Sequence, residues 1–249
     1  MEQIKNPVIE QLHARKSVRV FEDRPIEAAE KRAILEAAIQ APSAGNMNLY
    51  TILDITDAAL QQRLSETCDN QPFIATAKLC LVFCADYQRW YDLFCEHMPE
   101  VRKPAEGDLL LAQADTYIAA QNAVVAAESL GIGSCYIGDI TENFEEHQRL
   151  LKLPKYVVPT CMLVFGYPTE QQQRRVKPPR FSVEDVVHTN GYDAEKCARM
   201  GKMLQERQNL PDEAEFHGWV ERFCNRKWNC EFSEEMSRSC RAIIDSWCK

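Results

Sequence analysis

Arg15-Lys16-Ser17-Val18-Arg19 sets three cations and a hydroxyl within five residues of a chain whose formal net charge is −8. The pentapeptide is a local reversal of sign, and such a reversal invites an anion. In extended backbone, residues 15, 17 and 19 project to one side, because side chains alternate along a strand. Two guanidinium forks flanking a hydroxyl suit a phosphate, since guanidinium binds oxyanions bidentately and stays charged. The same residues also read as a solvated basic turn joining two elements, and the pentapeptide alone does not choose between them.

Elements of alternating kind surround it. Asn6-Pro7 reads as a helix start, Asn as cap and Pro at the first helical position, with Val8, Ile9 and Leu12 as its apolar face. Beyond the pentapeptide, Ile34, Leu35, Ala38 and Ile39 fall at helical spacing within 27–40, and Ala41-Pro42 ends that helix. Pro42-Ser43-Ala44-Gly45-Asn46-Met47-Asn48 is a loop of turn formers leading into a strand over 50–55. Asn46 and Asn48 each offer a donor and an acceptor, and they equally suit a plain turn that needs left-handed backbone. A helix over 57–66 and a buried strand over 78–85 follow. The stretch 86–107, polar with Trp90, Tyr91 and Phe94, lacks strong periodicity and reads as a variable lid.

The strongest helix is 109–130, apolar in almost every direction, so it needs cover from a large domain or a second subunit. After Gly131 a short strand, 133–140, opens into a loop at Gly138, where the missing side chain lets backbone approach a flat ligand. A helix over 143–151 and a buried strand over 157–166 complete this part. Pro168 to Pro179 reads as a polar linker. Three amphipathic helices then follow, over 194–208, 213–224 and 233–247, with Trp219, Phe223, Trp228, Phe232 and Trp247 needing a surface to pack on.

At 249 residues the chain is long enough for a sizeable core, and 45% hydrophobic with 27% charged residues is the balance of an ordinary globular protein. No apolar run approaches a bilayer span, and the polar stretch 1–16 does not read as a leader, so the expected location is cytoplasmic, with no membrane partner. The acidic balance argues against nucleic acid. Eleven cysteines, odd in number and without CxxC spacing, give neither a disulfide framework nor a metal pattern. GxGxxG, Walker, GxSxG and HExxH sequences are absent. An enzyme with no evident nucleophile or metal needs a cofactor to carry its reaction.

Four stretches in order resemble one family. These are Arg15 to Arg19 after a first helix, Ala41 to Asn48, Gly131 to Gly138 after a long alanine-rich helix, and Gly166-Tyr167-Pro168 before a basic segment. Together they resemble the nitroreductase family of FMN-dependent oxidoreductases over about residues 8 to 192, and the tail around Ser233 to Ser239 is similar to the C-terminal extension of one branch. The resemblance implies an α+β fold, a mixed central sheet flanked by helices, in an intertwined homodimer. It also implies an FMN-binding domain over 1–192 and a helical extension over 193–249 packing on the dimer.

It further implies which residues meet FMN. Arg15, Lys16, Ser17 and Arg19 would hold the phosphate and reach the pyrimidine edge, and Lys16 or Arg19 would stabilise negative charge near N1 of the reduced ring. Ser43, Asn46 and Asn48 would meet the ring edge, Asn48 standing where Gln is more usual. Backbone at Ile137 and Gly138 would face N5, with Asp139 where a small residue is common. Lys177 and Arg180 would form a second phosphate clamp, one residue further apart than the family's Lys-x-Arg. No side chain is expected to be catalytic. NADH or NADPH would donate a hydride to flavin N5 and a small-molecule acceptor, nitroaromatic, quinone or related, would collect it by ping-pong kinetics. A reductive dehalogenase, a flavin-destroying enzyme, and a non-enzymatic flavin-binding redox sensor are the alternatives.

Overall fold

The computed structural model describes residues 4–249. The first three residues, part of the polar stretch read as lacking a leader, lie outside the described residues. By backbone contacts the chain forms two compact units, one reaching to Arg175 and resuming over Glu235–Lys249, the other spanning Val176–Glu234.

The larger unit begins with α1 (Pro7–Ala14), where the Asn6 carboxamide oxygen accepts from the N–H groups of Val8 and Ile9. Its apolar residues Val8, Ile9 and Leu12 are exposed rather than covered. Helix α2 (Ala28–Ile39) buries Ile34 and Ala38. Strand β1 (Tyr50–Asp54) leads to α3 (Ala58–Thr67), capped by Asp57, and then to the short α4 (Pro72–Thr76). The apolar run becomes β2 (Leu79–Asp86), buried at every position.

The expected lid contains a regular helix, α5 (Gln88–His97). Long α6 (Glu106–Ser129) follows, then β3 (Gly133–Ile137), α7 (Phe144–Leu150), β4 (Val157–Gly166) and α8 (Glu170–Arg174). Helix α8 lies inside the expected linker. The sheet order is β1-β2-β4-β3 and every ladder is antiparallel. The mixed character expected of it is confined to one isolated parallel bridge, Ser17 to Ser134.

Core packing explains the layers. On one sheet face, Leu81, Phe83, Leu163 and Phe165 meet Ala119, Ala120, Ala123 and Ala127 of α6. Small side chains on α6 bring the helix close to the sheet. Its other face leaves Leu110, Leu111, Tyr117 and Ile118 exposed, so within one chain the helix is covered only in part. No helix among the described residues is long and apolar enough to cross a membrane.

The second unit holds α9 (Val183–Val186), α10 (Ala194–Ala198), α11 (Met200–Gln208) and α12 (Glu213–Lys227). On α12, Phe216, Trp219 and Phe223 stack in series, and Trp228 beyond them is exposed. Helix α13 (Glu231–Cys248) returns to the larger unit. There Trp247 is fully buried against Tyr156, and its indole N–H donates to the Ala105 carbonyl at 3.1 Å. This part of the aromatic tail packs on the chain's own core.

Candidate functional site

The pentapeptide lies along the open edge of β3. The Val18 N–H donates to the Ser134 carbonyl at 2.9 Å, and Val18 is buried against Gly133. A Cβ on Gly133 would come within 2.5 Å of Val18 Cγ2. Further along, a Cβ on Gly166 would meet the Phe21 ring at 2.6 Å, where Phe21 bridges Pro168. Two glycines thus admit the N-terminal segment to the sheet edge.

Helix α8 closes the other side. Lys16 Nζ donates to the carbonyls of Gln173 at 2.6 Å and Arg175 at 2.5 Å, and Arg175 Nη2 donates to the Ser17 carbonyl at 2.8 Å. An ammonium at a helix C-terminus also suits the negative end of the dipole. The Arg19 N–H donates to Gln172 Oε1 at 3.3 Å, and the Arg19 guanidinium lies 5.8 Å from the Phe73 ring centre. Arg15 differs from both. Its Nε is buried and has no hydrogen-bond partner among the described residues, and the same holds for Oγ of Ser134, which pairs with Ser17. Beneath the cations is the buried thiol of Cys135, whose pKa is raised by burial and drawn back by Arg19, Ser17 and Arg15.

The Ser43–Asn48 loop is built differently. Gly45, Asn46 and Asn48 all take left-handed backbone, with φ of 57°, 58° and 49°. Buried Asp115 of α6 accepts from Ala44 N–H at 3.0 Å and from Leu49 N–H at 3.3 Å, and Ser43 Oγ accepts from Asn48 N–H at 2.7 Å. Trp90 Nε1 donates to the Met47 carbonyl at 2.7 Å, and Arg89 donates to the carbonyls of Asn48 and Tyr50. Asn46 is exposed, while the Asn48 amide donates to the Tyr50 hydroxyl at 3.0 Å.

Ile137 ends β3, and an added Cβ on Gly138 would meet nothing within 4 Å, so the space beside it is open. The Gly138 carbonyl accepts from Thr141 N–H and Oγ1. Helix α13 braces this turn: Glu235 accepts from Asn143 N–H at 3.0 Å, and Ser239 Oγ accepts from Phe144 N–H at 3.2 Å. Lys177 and Arg180 belong to the second compact unit, where Arg180 Nη1 donates to the Pro178 carbonyl at 3.2 Å.

Within one chain these stretches do not all converge. The loop feeds β1 and the pentapeptide lines β3, the two outer strands of the sheet. Three strand spacings of about 4.8 Å put those strands roughly 14 Å apart. Sequence reading missed Asp115, Arg89, Gln172 and Arg175, because each acts through a contact distant in sequence. The spacing of Tyr87, Trp90, Tyr91 and Phe94 is the one local signal that could have placed Arg89 on a helix, in a stretch that reads as aperiodic. Among the described residues, no group of three or more His, Cys, Asp or Glu side chains is placed to hold a metal ion.

A sheet of this order, flanked by helices, with a basic segment against one edge and an ordered polar loop before the other, defines an α+β scaffold. Residues 12–167 match the Nitroreductase family, and the chain belongs to it. It is 38% identical over 204 residues to the oxygen-insensitive NADPH nitroreductase of Salmonella typhimurium, spanning 81% of this chain and 82% of that protein. It is 35% identical over 169 residues to the FMN reductase (NAD(P)H) of Bacillus subtilis, with 67% and 68% covered. The solved NADPH:FMN oxidoreductase from Vibrio harveyi, complexed with NAD+, superposes with a TM-score of 0.76 at 27% identity, covering 96% of this chain and 98% of that one.

Proposed function

We propose that the chain is an FMN-dependent reductase that takes electrons from NADH or NADPH and delivers them to nitroaromatic, quinone or related acceptors, working as a homodimer. The observation that carries this reading is the buried, unpartnered Arg15 Nε within a cluster of cations on the β3 edge. A buried donor without an acceptor costs free energy, and an oxyanion held at that place removes the cost. The residues present therefore fit a phosphate, and the relatives' names supply the flavin. Bound there, FMN would supply the electron-transfer chemistry.

In this reading Arg15 and Ser17 hold the phosphate. Arg19 is the cation that turns toward the ring, because the Lys16 ammonium already satisfies the end of α8. Open space at Gly138 receives the flat ring beside Ile137. Ser43, Asn46 and Asn48 complete the site from a second copy of the chain, since one chain separates its loop and its clamp by the width of the sheet. The exposed apolar face of α6 gives that second copy a surface to cover.

Purified protein should be yellow, and NADH or NADPH should bleach the flavin band anaerobically. A colourless protein that cannot be reconstituted with FMN would sink the proposal. Arg15→Ala should weaken FMN binding by about 1.5 to 3 kcal/mol, the scale of a charge-assisted hydrogen bond.

A further inference from the structure

The Ser43–Asn48 loop has a few bonds of its own, from Asn48 N–H to Ser43 Oγ and from Asn46 N–H to the Ser43 carbonyl, and takes the rest of its support from outside. Three of its residues sit in left-handed backbone, Gly45 and two asparagines, residue types that tolerate it. One support is Asp115 from the core, which takes N–H groups at both ends of the loop. The other is α5, a surface helix with no buried residue. Trp90 Nε1 holds the Met47 carbonyl, and Arg89 Nη2 alone holds those of Asn48 and Tyr50. Arg89 and Trp90 therefore grip the three carbonyls that bracket Asn48.

The grip is anchored where β2 passes into α5. Buried Asp86 accepts from Gln88 N–H at 2.9 Å and from the Thr51 hydroxyl at 2.5 Å, and lies 3.9 Å from Arg89 Nε. Gln88 Oε1 in turn accepts from Tyr156 N–H at 3.1 Å. The first turn of α5 is thereby keyed to β1, β2 and the start of β4, while the remainder lies on the surface. A guanidinium that serves two carbonyls transmits a shift of its helix to both.

We infer that Arg89 and Trp90 are positioning residues, which set the aim of Asn46 and Asn48 by holding the Met47–Tyr50 backbone to α5. The inference rests on the reading of this loop as a flavin-edge contact. Both act on the loop through its backbone carbonyls. A plain stabilising role would loosen the sheet and loop together, whereas a positioning role loosens the loop and changes what Asn46 does.

Full-length protein prepared with FMN provides the test, in four forms: wild type, Trp90→Phe, Arg89→Ala and Arg89→Lys. Hydrogen exchange at residues 44–50 should quicken by about tenfold in Trp90→Phe and Arg89→Ala, with β2 and β4 unchanged. Arg89→Lys, which keeps the cation but not the reach and planarity of the guanidinium, should fall between wild type and Arg89→Ala. In FMN titrations, Asn46→Ala alone should raise Kd by about fivefold, and the same change on an Arg89→Ala background by less than about twofold, because coupled residues are not additive. Unchanged loop exchange, equal loosening of β2 and β4, or fully multiplying effects of Asn46 and Arg89 would overturn the inference. Should wild type take up no FMN, the proposed function fails, and the exchange comparison alone then decides the positioning role.

Discussion

The two edges of the sheet treat polar groups in opposite ways. On the β3 edge the pentapeptide leaves a buried guanidinium nitrogen without a partner among the described residues, although Lys16 beside it gives two bonds to carbonyls at the end of α8. On the β1 edge the loop has its N–H groups and carbonyls taken up by Asp115, Ser43, Trp90 and Arg89, and what it leaves exposed is the Asn46 side chain. A wall that receives a charged ligand keeps donors in reserve. A loop that presents a side chain commits its backbone first. If both edges bind the flavin as proposed, binding capacity shows as an unfilled bond on one and as restraint on the other.

The largest expected effect strikes the restrained edge. Asp115→Ala strips the acceptor from Ala44 N–H and from Leu49 N–H, the latter in a fully buried residue, and should cost about 3 kcal/mol in urea unfolding. A loss well under half of that would mean the loop finds other acceptors, and the contrast between the edges would weaken. Next, Gly133→Ala forces a methyl against Val18 and should destabilise by about 2 kcal/mol. An unchanged midpoint would show that the pentapeptide leaves β3 without cost.

Lys16→Met should cost only about 1 kcal/mol, appearing as faster exchange over 170–175, since its bonds are peripheral carbonyl contacts. A much larger loss of FMN affinity than of stability would instead place Lys16 in the receiving wall. The smallest effect concerns Glu142, next to the Gly138 turn, which both edges leave alone. Burial, then Asp139, Asp69 and Glu235, push its carboxyl up to about 7 from the ordinary 4.5. The folded state keeps a proton there that the unfolded chain releases, so this contribution is intact at low pH and is lost as pH rises from 4.5 through 7. Glu142→Gln should flatten that fall, since the amide carries no charge to bury at either pH. Thermal midpoints of both proteins at pH 5 and pH 8 provide the measurement. His147, whose pKa burial lowers, loses its contribution in the opposite direction, as pH falls below 6.5, and the paired comparison cancels it.

Most of the fold was legible because local chemistry agreed with it. Asn6-Pro7, Asp57 and the apolar runs of β2 and β4 each sit where their residues place them. The exceptions have physical causes. Helix α5 has no buried residue, so its apolar stripe is faint against Glu96, His97 and the charges beyond. Helix α8 is polar throughout, and it folds because Lys16, Arg175 and Gln172 tie it to the pentapeptide. At the site, the sign reversal at residues 15–19 was readable from five letters. That Lys16 is spent and Arg15 is not depended on a helix nearly 160 residues away, and no local pattern carries such information.

All eleven cysteines carry free thiols, and Cys68, Cys80, Cys84, Cys135 and Cys161 are buried. Burial keeps those five protonated, with Cys80 and Cys161 pushed up to about 12, so they resist alkylation in the native state. Cys95, by contrast, is exposed on α5. With Cys197, Cys224, Cys230, Cys240 and Cys248 changed to serine, a single maleimide dye or spin label would attach there. The helix that fastens the loop would then report its own movement optically, during turnover, without any further engineering of the core.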